Sequence, residues 1–128
     1  MRKNKSNFDA VRRIGLTFSG VEESTAYGSP ALRLKGKLLA CMASHRSAEP
    51  RSLVVCVSFE DRGAMIAEAP EIYYIKEHYL NYECVLVRLS RISPHMLRDL
   101  LGMAYKFVIQ KATNRSRSKK QPCPRARS

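Results

Sequence analysis

The chain has 128 residues and a formal net charge of +12. This length suits one domain with its own core and excludes two ordinary domains. Ten of the positive charges lie in residues 1–5 and 111–128, where no acidic residue offsets them, and residues 6–110 carry a net charge of only +2. The folded body is therefore expected to be nearly neutral, with the excess charge confined to the two ends.

The N-terminal region combines a basic segment with a helix start. Residues 1–5 are predicted to be a disordered basic N-terminus, and the folded domain is predicted to begin at residue 6. Ser6 and Asp9 have the spacing of a capping box, in which each side chain bonds the other residue's backbone amide. A first helix is therefore expected to run from there to about Thr17.

The next stretch, GVEESTAYGSPALRLKGKLLACM, predicts strands joined by tight turns. A short strand is expected from Ser24 to Tyr27, followed by a break at Gly28-Ser29-Pro30, because proline lacks an amide proton and restricts the residue before it. A hairpin then turns at Lys35-Gly36-Lys37. Its first arm alternates apolar and basic residues, which predicts one buried and one solvated face.

The second half of the domain contains further strand and helix signals. Runs rich in apolar and β-branched residues predict strands, and a short helix ends at Pro70. Serine followed by proline at Ser93-Pro94 is a typical helix start, and the helix it opens is expected to run to about Lys111. The predicted strands after the first hairpin arm are residues 38–42, 53–59, 71–75 and 84–89.

The C-terminal segment completes a division into three parts. Residues 6–112 are predicted to form the single domain, and residues 113–128 a disordered basic tail, because this segment has no apolar periodicity with which to offset its ordering entropy. Such a tail can act as a solubilising end or can contact nucleic acid or an acidic partner. Both interpretations remain open at this point.

Compartment and redox state follow from what the sequence contains. The N-terminus is polar, and no stretch approaches the roughly 20 apolar residues of a membrane span, so a cytoplasmic protein without membrane contact is expected. The four cysteines, Cys41, Cys56, Cys84 and Cys123, show no C-x-x-C spacing. Reduced thiols, three of them within apolar strands, are therefore predicted.

The order of the elements predicts the fold class. Links between strands are mostly short, which favours antiparallel pairing, and the helices flank the strands in sequence. The prediction is an α+β fold in which an antiparallel sheet packs against helices in the order α-β-β-β-β-α-β-β-α. A monomer is expected.

An ordered set of motifs resembles a known family. The segments GVEESTAYGSPALRLKGKLLA, EPRSLVV, APEIYYIKEHYLNY and VLVRLSRISPHMLRDLLGMAYKFV follow one another as they do in the MmcQ/YjbR family of small bacterial proteins. The similarity covers about residues 8–112. The resemblance implies a compact fold similar to that of frataxin-like CyaY. Many relatives carry a tryptophan where this chain has Cys84.

The resemblance also implies a function, because members of the family are commonly labelled DNA-binding on the basis of two winglike hairpins. If this carries over, Arg33, Lys35 and Lys37 match one wing, and Arg88 and Arg91 lie beside the other. Nothing resembles a recognition helix, so the expected contact is weak and nonspecific. The first hypothesis is therefore a non-enzymatic protein that binds DNA or another polyanion through this hairpin and the basic tail.

The tyrosine-rich segment YYIKEHYLNY, residues 73–82, supports an alternative. Aromatic residues beside cations can stack on bases, and they can equally cap the rim of an ordinary core. The alternative hypothesis is a module that binds a protein partner or a small ligand at a tyrosine-lined cleft. The residues predicted to line that cleft are Tyr27, Tyr74, His78 and Tyr79.

No sequence pattern predicts catalysis, a metal site or a cofactor. The three histidines lack metal-ligand spacing, and neighbouring carboxylates such as Glu22-Glu23 are expected to solvate separately. Cys84 with His78 is the one thiol and imidazole combination that could serve a third hypothesis, an enzyme. Burial of Cys84 would oppose it by raising the pKa of the thiol, so no catalytic residue is predicted.

Overall fold

The computed structural model describes residues 8–118, with side chains described for residues 8–111. In this range the elements follow the predicted order. The helices are α1 (Phe8–Gly15), α2 (Phe59–Glu68) and α3 (Pro94–Ser118). The strands are β1 (Val21–Ala26), β2 (Ser29–Leu34), β3 (Lys37–Met42), β4 (Ser52–Cys56), β5 (Tyr73–Tyr74) and β6 (Cys84–Arg88), with a 3₁₀ turn, Glu77–Tyr79, before β6.

The described strands form one sheet in the order β1-β2-β3-β4-β6-β5, and every pairing is antiparallel. The first four strands follow the chain, whereas β6 lies between β4 and the short edge strand β5. This arrangement confirms the predicted α+β class with an antiparallel sheet and helices.

Two tight turns set the register of the first three strands. Tyr27-Gly28 joins β1 to β2 and Lys35-Gly36 joins β2 to β3, with φ between 54° and 79° at these four residues. Positive φ at both turn positions is the geometry whose twist matches antiparallel strands. The predicted break at Gly28-Ser29-Pro30 is therefore wrong beyond Gly28. Pro30 belongs to β2, where it pairs with β1 and lies just before the residues that pair with β3.

Alternation along the strands gives the sheet two different faces. One face packs against the helices, with Leu32 and Val55 in the same buried cluster as Val11 of α1 and Leu101 of α3. The opposite face carries a smaller cluster, which contains Val54 and residues of the neighbouring strands. Within residues 8–111 no side chain of α1, α2 or α3 belongs to that second cluster. We call this second face the open face.

Segments outside the regular elements partly cover the open face. Ala43 and Ala48 from the β3–β4 connection pack against it, as do Ile75 and Tyr79 from the region around the 3₁₀ turn. The longest helix therefore stabilises one side of the sheet, while two irregular segments shape the other.

Several element ends differ from the prediction. β1 begins at Val21 rather than Ser24, and α3 continues to Ser118 rather than ending near Lys111. The backbone of residues 113–118, which were assigned to a disordered tail, is thus helical. The predicted N-terminus, the capping residue Ser6 and residues 119–128 lie outside the described residues.

Three of the cysteines lie in strands on or near the open face. Cys41 and Cys84 are buried and Cys56 is half-buried, and all three are free thiols, as predicted. Cys123 lies outside the described residues. Across the described helices, none combines the length and the apolar character that a membrane crossing requires.

Candidate ligand-binding site

The candidate site begins where β3 and β4 part. Their pairing ends at Ala40 and Val55, although β3 starts three residues earlier, at Lys37. β4 continues beside β6 to the pair formed by Cys56 and Cys84. A gap therefore opens between β3 and β4 at this end of the sheet.

A bulge in the β2–β3 pairing accompanies the gap. The register shifts between Leu32 and Arg33, because Leu32 pairs with Ala40 and Arg33 pairs with Leu38. Bulges bend a strand and increase its local twist. The Cys56 Sγ then donates a hydrogen bond to the Leu38 carbonyl oxygen, 3.2 Å away, across the gap.

A cavity of about 610 Å³ occupies this region and extends onto the open face. This volume lies within the range of small-molecule sites. Phe107 and Val108 of α3 contribute to one side of the cavity. The residues contributed by the sheet are mostly apolar or thiol side chains, namely Leu38, Cys41, Met42, Val54, Cys56 and Cys84.

Aromatic rings form the outer part of the cavity. The imidazoles of His45 and His78 stack with centroids 3.6 Å apart and an interplanar angle of 9°. Tyr79 meets both rings edge-on. Tyr27 and Tyr82 also line the cavity, yet they are 86% and 63% exposed, respectively. These rings offer flat apolar surfaces to a molecule that enters from solvent.

Hydrogen bonds from neighbouring elements hold the aromatic wall. The Tyr79 hydroxyl accepts from the His45 backbone amide at 3.3 Å, which joins the β3–β4 connection to the 3₁₀ turn. Arg62 of α2 donates to the carbonyl oxygens of Leu80, Tyr82 and Cys84 at 3.0 to 3.2 Å. The wall is therefore anchored at both ends rather than left as a loose loop.

Three charged side chains also line the cavity. Glu83 lies directly before β6 and pairs with Lys111 of α3. Lys37 lies at the start of β3 and is half-buried. In the part of the chain whose side chains are described, Lys37 forms no ion pair.

The thiols of the cavity are neutral at ordinary pH. Burial raises the pKa of Cys41 and Cys84 to about 11 and that of Cys56 to about 12. A neutral, desolvated thiol behaves as a small apolar group and is a poor nucleophile. The combination of Cys84 with His78 therefore lacks the lowered thiol pKa that the enzyme hypothesis requires.

One of the stacked imidazoles is also biased toward its neutral form. Burial lowers the pKa of His45, and the nearby His78 and Arg46 lower it further. In the described part of the chain, no group of three or more histidine, cysteine or acidic side chains has the geometry to hold a metal ion.

The structure brings together three of the four residues predicted to line a cleft. Tyr27, His78 and Tyr79 all contact the cavity. Tyr74 does not, because its hydroxyl bonds Ser52 and the Glu49 amide on the other end of the open face. Tyr74 therefore lies outside this cavity, unlike the other three residues predicted to line a cleft.

Sequence reasoning missed the inner lining of the cavity. The thiols and apolar residues of β3, β4 and β6 looked like ordinary core, because their alternation does not reveal which face of a sheet lacks a helix. His45 was missed because it lies in a loop, and its stacking on His78 depends on a contact between segments 33 residues apart. The sequence signal that could have indicated this contact is the presence of one histidine in a loop and a second histidine in the tyrosine-rich segment.

The residues predicted to contact nucleic acid do not form one cluster. Lys37 lies at the end of the sheet that holds Cys84, whereas Arg88 pairs with Ser52 at the opposite end. The four strand steps from Ser52 to Cys56 alone separate these ends by about 13 Å. Arg91 follows β6 near Arg88 and is exposed.

Two of those basic residues are engaged within the fold. Both Arg88 nitrogens that face Glu49 bond its carboxylate at 2.8 Å, and the same guanidinium lies 4.3 Å from the centre of the Tyr74 ring. The hydrogen bond from Arg88 lowers the pKa of Glu49. Arg33 lies along β1, where it donates to the Ser24 hydroxyl and the Thr25 carbonyl oxygen. Lys35 remains exposed at its turn.

Comparisons with known proteins extend the fold assignment. No family model matches the chain, and no curated protein matches it. The chain is similar in structure to Deinococcus radiodurans protein DR2400, solved as a crystal structure and assigned to the domain family DUF419. The TM-score is 0.69 at 17% sequence identity, and the match covers 94% of this chain and 91% of that chain.

This likeness shows the fold and carries no activity with it. DUF419 is a family of the YjbR/MmcQ type, so the match supports a related fold for the chain.

Proposed function

We propose that the chain binds a small, largely apolar molecule in the cavity on the open face. The observation that carries this proposal is the cavity itself, which has a volume of about 610 Å³, an apolar and thiol lining, and a rim of exposed aromatic rings. Ligand sites in proteins are typically concave and mostly apolar, with a few polar groups that orient the ligand. This is the alternative of a small-ligand module that the tyrosine-rich segment raised.

Tyr27 gives independent support. It occupies the first position of a two-residue turn with φ of 54°, a conformation that favours glycine and asparagine over bulky residues. Its ring is 86% exposed, so packing within the fold does not account for its presence. A strained, exposed aromatic residue beside a cavity is consistent with a contact to a bound molecule.

The DNA hypothesis draws less support from the folded body. Its five basic residues are divided between two ends of the sheet, and Arg33 and Arg88 are bonded to other parts of the fold. A phosphate backbone is bound by several cations that face it together. Of the other three, Lys35 and Lys37 lie at the β2–β3 turn and Arg91 follows β6 at the opposite end of the sheet. They do not face one phosphate backbone together, which leaves the cavity as the better supported site.

The proposal is tested with N-phenyl-1-naphthylamine, an uncharged probe whose fluorescence rises in an apolar site. Titration of the full chain is expected to show saturable binding. Leu38→Trp, which enlarges a half-buried residue of the lining, is expected to weaken binding about tenfold, because the larger side chain occupies space that the probe would fill; tenfold corresponds to about 1.4 kcal/mol. Tyr82→Ser is expected to weaken it about three- to fivefold by removing an exposed ring.

The matched control is Leu16→Trp, because Leu16 is 42% exposed and lies outside the cavity. It should leave probe binding unchanged. Thermal unfolding of each variant shows whether the fold is retained, and the exposed Tyr82 position keeps the test valid if Leu38→Trp fails to fold. Unsaturable binding, or equal binding by the Leu16 and Tyr82 variants, would contradict the proposal.

A further inference from the structure

We infer that the bound molecule carries a single negative charge, such as a carboxylate, which lies beside Lys37 at the β3 end of the cavity. This inference rests on the proposed function and specifies the class of ligand: a compact acid with a flat or branched apolar body. It follows from how charge is distributed along the cavity lining.

The inner part of the cavity is unsuitable for a charged group. Its lining consists of aliphatic side chains and the three thiols, which burial keeps in their neutral form. Transfer of an ion into such surroundings is strongly unfavourable unless a partner charge is present. A charged group on the ligand must therefore lie at the rim.

Among the described charged residues at the rim, one cation has no ion-pair partner. Glu83 and Lys111 neutralise each other through their ion pair. Lys37 is half-buried beside the same cavity, and its ammonium group meets no carboxylate among the side chains of residues 8–111. A ligand with one negative charge complements this arrangement, and a cationic ligand does not.

Topology places these charged residues at one end of the site. Lys37 is the first residue of β3 and Glu83 directly precedes β6. Both strands run antiparallel to β4, so their first residues lie at the same end of the sheet. The stacked rings of His45 and His78 form another part of the lining. An acid whose flat body contacts the rings can thus direct its charge to Lys37.

The test compares 2-naphthoate with 2-naphthamide, which share one ring system and differ in charge at neutral pH. Each displaces N-phenyl-1-naphthylamine from the full chain at low salt. The acid is expected to bind about three- to fivefold more tightly than the amide, because a partly exposed ion pair contributes up to roughly 1 kcal/mol. Added salt should reduce this preference through screening.

Three variants locate the charge. Lys37→Gln is expected to abolish the preference for the acid, lowering its affinity about three- to fivefold more than that of the amide. Lys35→Gln is the matched control, because Lys35 lies two residues away at the turn and does not contact the cavity; it should keep the preference. Glu83→Gln releases Lys111 from its ion pair and should increase the affinity for the acid alone.

The outcomes separate the two proposals. Saturable binding of the uncharged probe with equal displacement by acid and amide, or with no displacement by either, overturns the inference about charge and leaves the cavity as a ligand site. A preference that Lys37→Gln and Lys35→Gln reduce equally also overturns it. Absence of saturable binding by the uncharged probe overturns the proposed function itself.

Discussion

Replacement of Tyr27 by asparagine is expected to stabilise the folded chain and to weaken ligand binding. The two effects have separate origins. The backbone at Tyr27 has φ of 54°, which asparagine adopts more readily than an aromatic residue. The ring lines the cavity and is 86% exposed, so its removal eliminates few packing contacts in the unliganded fold.

The expected magnitude follows from these two observations. A residue with a Cβ in the left-handed region carries roughly 1–2 kcal/mol of strain, of which asparagine should relieve about 0.5–1 kcal/mol. For a domain of this size, that gain corresponds to an increase in Tm of about 2–6 °C. Loss of one aromatic contact should weaken binding of N-phenyl-1-naphthylamine about three- to tenfold.

The assay pairs thermal unfolding with the probe titration, and Lys35→Asn is the matched control. Lys35 occupies the equivalent position of the second two-residue turn, with the same φ of 54°, but does not contact the cavity. It should give a similar increase in Tm and no change in probe affinity. If Tyr27→Asn lowers Tm while Lys35→Asn raises it, or if both variants bind the probe like the wild type, the reasoning is refuted.

Three further predictions concern the core, the thiols and the histidine stack. Gly15→Ala should lower the free energy of unfolding by about 1–3 kcal/mol, because its Cβ would overlap the buried side chain of Leu32. Gly63→Ala has open space around it and should raise the free energy of unfolding by about 0.5–1 kcal/mol. Denaturant titrations in which Gly15→Ala is the more stable of the two variants would contradict the packing. The three cavity thiols should react with iodoacetamide at neutral pH far more slowly than a model thiol. Their raised pKa values mean that the unfolded chain releases these protons first, so stability should fall as pH rises from about 9 to about 11, and a flat profile there would count against their burial. In an NMR titration His45 should have a pKa below 6.5, so its contribution to stability is present above that pH and is lost as the pH falls below it. His78→Gln should raise the pKa of His45 but leave it below 6.5, because burial lowers it more than His78 does. A pKa of His45 that His78→Gln leaves unchanged would refute the stacked arrangement.

Local patterns predicted the element order and the fold class because each depends on nearby residues. The alternation around Leu32 and Leu34 gave the correct buried face, and Ser93-Pro94 gave the correct start of α3. Pro30 misled the prediction, since the sequence does not show that its missing amide would fall where β2 has no β3 partner.

The cavity could not be predicted in the same way because it depends on contacts between distant segments. The tyrosine-rich segment correctly suggested His78 and Tyr79 as lining residues. The gap between β3 and β4 opens where their pairing ends, at Ala40 and Val55, and no local pattern encodes where the pairing of two strands ends. Likewise, Arg88 looked like an exposed cation until the fold placed Glu49 beside it.

The most direct test of the cavity as a ligand site is an amide NMR titration of the full chain with N-phenyl-1-naphthylamine. The proposal predicts saturable chemical-shift changes for the backbone amides of Leu38, Cys41, Val54 and Cys84, which come from three strands and all line this cavity. Shifts that leave these amides unchanged, or that never saturate, would contradict the proposal that this chain binds a small molecule on the open face of its sheet.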